Sequence, residues 1–220
     1  MRATADWNGT MQKDLYMMTF GDNKLYRLDA ATGSAGLIGN LTVSSMTDIA
    51  VQGTTMWGVS FTQFVRVDPH TAACTVIGNT GQGDINGLAV SVGGTIYAIG
   101  NAGNLYRINP ATGVATVVGS LGGGRSSSGD LAIDSNDNIY AALNSGGSVV
   151  LAHVNPTNGS STVIGNIGFP TCYGLAFYCC RLYGVTYAGE VLTINVNTGA
   201  GTVIGNNGKP QGGLTSSECC

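Results

Sequence analysis

Short stretches of alternating apolar and polar residues run along nearly the whole chain, and glycine or an Asp/Asn-led turn closes each one. The clearest is Leu105-Tyr-Arg-Ile-Asn-Pro-Ala-Thr-Gly-Val-Ala-Thr-Val-Val-Gly119. A period of two places successive side chains on opposite faces, as a half-buried strand requires. Nothing in the chain sustains the 3.6-residue period of an amphipathic helix. The stretch recurs from Leu25 to Gly39, Phe64 to Gly78, Leu151 to Gly165 and Val191 to Gly205. Its closing glycines, at 39, 78, 119, 165 and 205, stand 39, 41, 46 and 40 residues apart. That is the spacing of propeller blades.

Each repeat predicts four strands. An inner strand carries Ile49-Ala-Val, Leu88-Ala-Val, Leu131-Ala-Ile or Leu175-Ala-Phe. The second carries an aromatic at one position: Tyr16, Trp57, Tyr97, Tyr140 and Tyr183. The third is the Leu-Tyr-Arg-Leu type, and the fourth ends in Val-Ile-Gly or a close variant. Between the third and fourth lies Asp/Asn-x-x-Thr-Gly, as in Asp29 to Gly33. Asp or Asn opens such a turn by accepting from backbone N–H groups further on, and Gly takes φ > 0 at its exit. The first unit lacks an inner strand, whereas Gly213-Leu-Thr-Ser-Ser217 is an inner strand with nothing after it. The expected fold is therefore an all-β five-bladed propeller of four-stranded antiparallel blades, in which the C-terminal strand completes blade 1. Such closure removes the open edges at the seam. Residues 13–220 are expected to form this one domain, and residues 1–12, which match no part of the repeat, an N-terminal extension.

The repeats Leu25-Tyr-Arg-Leu-Asp-Ala-Ala-Thr-Gly33 and its four copies resemble those of secreted and cell-surface propellers of the YVTN and PQQ-like kind. The resemblance covers about residues 13–218 and implies a propeller, not a particular activity. The Trp near the end of a quinoprotein repeat is missing, so no quinone is implied and no cofactor is expected. The blade number is that of the tachylectin-2 type of lectin, with no shared motif.

Composition narrows the setting. Charged residues make up 10% of the chain and the net charge is −3, so there is no electrostatic case for nucleic acid or an anionic membrane. No apolar run reaches the length of a membrane span. Met1-Arg-Ala-Thr-Ala-Asp6 has no apolar central region, so no signal peptide is expected at this start. The six cysteines lack Cys-x-x-Cys spacing, and His70 and His153 are isolated, so no metal site is expected. An even cysteine count with low charge points instead to an oxidising, extracellular or cell-surface location. Aligning Gly213-Leu214 with Gly174-Leu175 puts Cys219 on the repeat position of Cys180, so Cys179 or Cys180 is a candidate to bridge Cys219 or Cys220. Bridges between chains, or thiols that stay reduced, are the alternatives. Cys172 lies at the far end of its strand from Cys179. Cys74, in an outer strand, and Trp7, in the extension, are candidate contacts between subunits. Asn8, Asn40 and Asn158 match the glycosylation acceptor pattern.

Candidate chemistry is sparse. Asp48, Asp84 and Asp130 stand before inner strands. They form either a carboxylate cluster able to act on a glycosidic bond or a set of turn caps, and the uneven offsets favour caps. Arg27, Arg66 and Arg107 share one repeat position, expected to face solvent with the stem over apolar surface. The aromatic column suits packing between blades better than sugar stacking. Gly122-Gly-Gly-Arg-Ser-Ser-Ser-Gly129 leads into a strand, so no helix N-terminus exists there to cradle phosphate. Loops before the inner strands share almost nothing, which argues against five equivalent ligand sites and leaves one asymmetric site or none. The functional expectation is a non-enzymatic extracellular structural or interaction subunit, self-associating through its extension. A glycan-binding lectin is the alternative and a glycoside-active enzyme a distant third.

Overall fold

The computed structural model describes residues 14–217. Among them are twenty strands and no helix. Blade 1 holds β1 (Leu15–Thr19), β2 (Lys24–Leu28) and β3 (Ala35–Asn40). Blade 2 holds β4 (Met46–Gln52), β5 (Thr55–Ser60), β6 (Gln63–Val67) and β7 (Cys74–Asn79). Blade 3 holds β8 (Ile85–Val90), β9 (Ile96–Gly100), β10 (Asn104–Ile108) and β11 (Ala115–Ser120). Blade 4 holds β12 (Ser126–Ile133), β13 (Ile139–Ser145), β14 (Ser148–Val154) and β15 (Ser161–Asn166). Blade 5 holds β16 (Gly174–Tyr178), β17 (Arg181–Val185), β18 (Glu190–Ile194) and β19 (Gly201–Asn206). The last strand, β20 (Gln211–Ser216), pairs antiparallel with β1, so the first sheet has the order β20-β1-β2-β3. The ring closes as the repeat pattern predicts.

Apolar side chains gather between blades rather than within one sheet. Five clusters each join two neighbours, and one joins Leu15, Met17 and Tyr26 of blade 1 to Tyr183, Val185 and Val191 of blade 5. The aromatic column lies in these seams. Tyr16, Tyr97, Tyr140 and Tyr183 are buried and Trp57 is half-buried, as packing residues would be. Arg27, Arg66 and Arg107 point outward. Arg27 pairs with Asp14 at 3.1 Å, and the Arg107 guanidinium lies over the Tyr97 ring.

The Asx turn also acts across the seams. Asp29 Oδ1 accepts from Ala31 N and Thr32 N at 2.8 and 2.9 Å, and Asn109 Oδ1 accepts from Ala111 N in the same way. These turns then abut the closing glycine of the preceding blade. A Cβ on Gly119 would stand 1.9 Å from the Asn158 carbonyl oxygen, and one on Gly205 2.2 Å from that of Thr32. The glycine therefore allows a close approach of backbones, repeated round the ring and across the blade 5 to blade 1 seam.

Each third-to-fourth strand pairing skips one residue, as between Leu25/Tyr26 opposite Gly39/Leu37. Such a bulge sets two residues of the outer strand against one of its neighbour and breaks the regular alternation there. Ile38, Ile77, Val118, Ile164 and Ile204 turn in and pack on the clusters. Their predecessors Leu37, Val76, Val117, Val163 and Val203 stay 41–60% exposed on the outer strands.

Candidate functional site

The inner strands β4, β8, β12, β16 and β20 surround the ring axis. Directly before their Leu or Ile, the five blades carry Asp48, Gly87, Asp130, Gly174 and Gly213. Two blades thus send a carboxylate to the axis, and the other three withdraw to make room. A Cβ on Gly213 would lie 1.8 Å from Asp48 Oδ1, and one on Gly87 2.9 Å from the Asp130 Cα. Asp48 accepts from Ile49 N at 2.7 Å and from Leu88 N, one blade on, at 2.6 Å. Asp130 accepts from Leu131 N and from Leu175 N, both at 2.6 Å, and from the backbone of Leu214. Equivalent N–H groups from all five blades converge on two carboxyl groups.

The two carboxyl groups also hydrogen-bond each other, and both residues are fully buried. Burial lifts Asp48 well above the usual carboxylate range, with the Asp130 charge adding to the rise. Burial lifts Asp130 up to about 7, against the hydrogen bonds it accepts. Like charges this close cannot both ionise, so the pair retains at least one proton at neutral pH. This arrangement corrects both sequence expectations for the trio. Asp48 and Asp130 do form a cluster, but hydrogen-bonded carboxyl groups sit about 3 Å apart, whereas carboxyls that flank a glycosidic bond need about 5 Å or more. They cap strands, but across blades rather than within one turn. Asp84 stands apart, accepting from Ala102 N at 2.8 Å and from the Tyr106 hydroxyl at 3.1 Å.

Above this pair the axis opens into a pit of about 290 Å³. Its floor takes one residue from each blade, Thr47, Asn86, Gly129, Tyr173 and Gly212, each directly before the axial position. Its walls include Ser127, Ser128, Asn101, Asn144 and Thr171, with Phe20 and Phe61 on the same side; among the described residues no charged side chain lines it. Two polar atoms there have no partner although they are buried: Ser127 Oγ and Asn86 Oδ1. The opposite end of the channel, lined by residues such as Leu88, Leu131 and Leu175, narrows to about 40 Å³. The sequence missed this pit. A bulge between Ser127 and Leu131 shifts the register of blade 4 and hides Ser127 from the alignment of repeats.

The second surface is the ring's circumference. Among the described residues, strands β3, β7, β11, β15 and β19 each pair on one side only. Their sequences, AGLIGN, CTVIGN, ATVVGS, STVIGN and GTVIGN, hold no charged residue and no proline. Natural sheets usually protect such edges with charge or proline. The preceding blade caps only the first N–H of several of them, as with Ala115 N on Thr80 O and Ser161 N on Leu121 O.

The remaining sequence candidates lie apart. Cys172 is buried, and burial pushes its thiol up to about 12, so it is an inert packing group. Cys74 is half-buried at the start of β7, its Sγ donating to Ala72 O at 3.5 Å. Cys179 and Cys180 form the exposed two-residue turn between β16 and β17, both at positive φ. Cys219, Cys220, Trp7 and Asn8 lie outside the described residues. Asn40 and Asn158 are exposed, and Asn158 Oδ1 accepts from Ser160. Among the described residues no cluster of His, Cys, Asp and Glu could hold a metal ion, and no helix is long and apolar enough to cross a membrane.

Comparison with known proteins agrees with the ring. No protein-family model matches the chain, and no curated protein matches its sequence. Among solved structures, a chain of a nidogen/laminin complex superposes with a TM-score of 0.65 at 13% identity, over 96% of this chain and 84% of that one. A structural-genomics protein of unknown function from Bacteroides thetaiotaomicron superposes with a TM-score of 0.59 at 16% identity, over 87% of this chain and 58% of that one. Likeness at this level defines a fold. The chain is a five-bladed β-propeller repeat protein.

Proposed function

We propose that this protein is a non-enzymatic, extracellular or cell-surface propeller that works as an assembly and protein-interaction subunit. The observation that carries this reading is the circumference. Five uncharged outer strands, each with an exposed Val or Leu, offer unpaired backbone groups to an incoming strand. Strand addition of this kind draws affinity from main-chain hydrogen bonds and specificity from alternate side chains. The incoming strand is the N-terminal extension, residues 1–12, of a second copy, with Trp7 as its anchor. Head-to-tail contacts of this type build filaments or closed rings. The low charge supports self-association. The axial carboxyl pair, saturated and out of reach, supplies no acid–base chemistry to a substrate. The cell-surface setting is supported by the YVTN-like repeats and the cysteine pairs, and the fold is shared with a chain of a nidogen/laminin complex. Sedimentation velocity under reducing conditions tests the reading. The full chain is expected to form species larger than a monomer, and both removal of residues 1–12 and the double substitution Val117→Lys/Val163→Lys are expected to reduce them. Undiminished assembly without residues 1–12 would refute strand exchange.

A further inference from the structure

The axial pit carries an inference independent of assembly: we propose that it binds a single neutral sugar ring. Three observations lead there. First, the pit is lined by hydroxyls and amides, with no charged side chain among the described residues to neutralise an ionic ligand. Second, it holds two unsatisfied atoms. Ser127 is 1% exposed and its Oγ has no partner, and Asn86 Oδ1 is likewise unpaired while Asn86 Nδ2 donates to Asn101 Oδ1 at 3.0 Å. A buried polar atom left unpaired costs stability, so such atoms mark places where a donor is missing. Asn86 Oδ1 can only accept, so the ligand must bring O–H or N–H donors. Third, the ionisable groups under the floor, Asp48 and Asp130, are acidic and fully buried, so they offer no attraction to an anion.

Size and rim narrow the class further. A volume of about 290 Å³ lies at the lower end of the range for small-molecule sites, which suits one ring rather than a chain. Phe20 and Phe61, 6.5 Å apart edge-to-face, and Tyr173, 5.9 Å from Tyr187, give apolar faces against which the C–H face of a sugar packs while its hydroxyls turn inward. The blades contribute different residues to the floor, so the site is single and asymmetric, in keeping with the unlike loops that precede the inner strands.

Saturation-transfer NMR on the full chain tests this with glucose, galactose, mannose, N-acetylglucosamine, N-acetylgalactosamine and glucuronic acid as probes. At least one neutral sugar is expected to receive saturation, and glucuronic acid none. Ser127→Ala is expected to weaken binding at least tenfold while melting at or above the wild-type temperature, because it removes an unpaired hydroxyl. Phe20→Ala, on the rim, is expected to weaken binding with the melting temperature unchanged. No saturation of any neutral sugar would overturn the proposal, as would binding that both variants leave intact. A clear drop in the melting temperature of Ser127→Ala would also overturn it, by showing the hydroxyl to be satisfied by structural water.

Discussion

Removing one of the two axial carboxyl groups is expected to have a cost that depends on pH. Asp130→Ala strands the N–H groups of Leu131, Leu175 and Leu214 in a fully buried site. At about 1–3 kcal/mol for each stranded donor, the loss is about 3–9 kcal/mol, comparable with the roughly 5–15 kcal/mol that holds a domain folded. Asp48→Asn is milder. Its amide donates to Asp130 in place of the shared proton, but its nitrogen cannot accept from a backbone N–H, so one donor is lost at about 1–3 kcal/mol. The pH dependence distinguishes the two roles. Both carboxyls have folded pKa values raised above their unfolded ones. Groups of this kind stabilise the fold fully below the unfolded pKa and lose that contribution as pH rises through the folded pKa. Each retained proton corresponds to a fall of roughly 1.4 kcal/mol per pH unit, which for Asp130 runs from about pH 4 to its folded value near 7, with raised Asp48 adding its own share. Asp48→Asn removes the Asp48 share of this fall, so its deficit against the wild type is expected to shrink as pH rises. Urea denaturation at pH 4, 5, 6 and 7, followed by Trp57 fluorescence, measures it. Parallel stability curves for the two proteins, or an Asp130→Ala variant as stable as the wild type, would refute a proton-sharing hub.

Other outcomes follow from the same geometry. Gly119→Ala drives a Cβ to 1.9 Å from a backbone oxygen of the next blade, so a loss of about 2–3 kcal/mol is expected by thermal denaturation; an unchanged melting temperature would contradict the seam contact. Gly213→Ala collides with Asp48 at 1.8 Å and is expected to open the blade 1 seam, read as faster hydrogen exchange in β1 and β20. Alkylation of the native protein at neutral pH under reducing conditions is expected to label Cys180 and spare Cys172, whose thiol burial pushes up to about 12. Peptide mapping without reduction, on protein made in an oxidising compartment, is expected to link the Cys179–Cys180 peptide to the C-terminal Cys219–Cys220 peptide. The hydrogen bond between Ser216 Oγ and Phe177 O holds the end of β20 beside that hairpin.

Repetition made the ring legible. Five copies of one turn chemistry, Asp29 to Gly33 among them, fixed where strands begin and end, and a missing inner strand at the N-terminal unit matched by a leftover one at the C-terminus implied closure. The axial hub was less visible because its signal lies between repeats. Asp48 and Asp130 look like local caps until they are set in a column with Gly87, Gly174 and Gly213, where carboxylate and empty space complement one another. Asp84 obscured that column by sitting near it without belonging to it. The pit was hidden because its floor residues Thr47, Asn86, Gly129, Tyr173 and Gly212 share no side-chain chemistry. They share only the position before the axis, and the bulge in blade 4 displaces Ser127 from any simple register. The outer edges were half legible. Val-Ile pairs such as Val76-Ile77 break the alternation, and only the bulge reveals which of the two faces outward.

Hydrogen exchange with mass spectrometry, on the full chain at dilute and at assembling concentrations, tests the assembly reading most directly. The account predicts that one or more of the outer strands β3, β7, β11, β15 and β19 gain amide protection on assembly, while the inner strands β4, β8, β12, β16 and β20 do not change. Protection confined to the pit face, or no change in any outer strand, would contradict it.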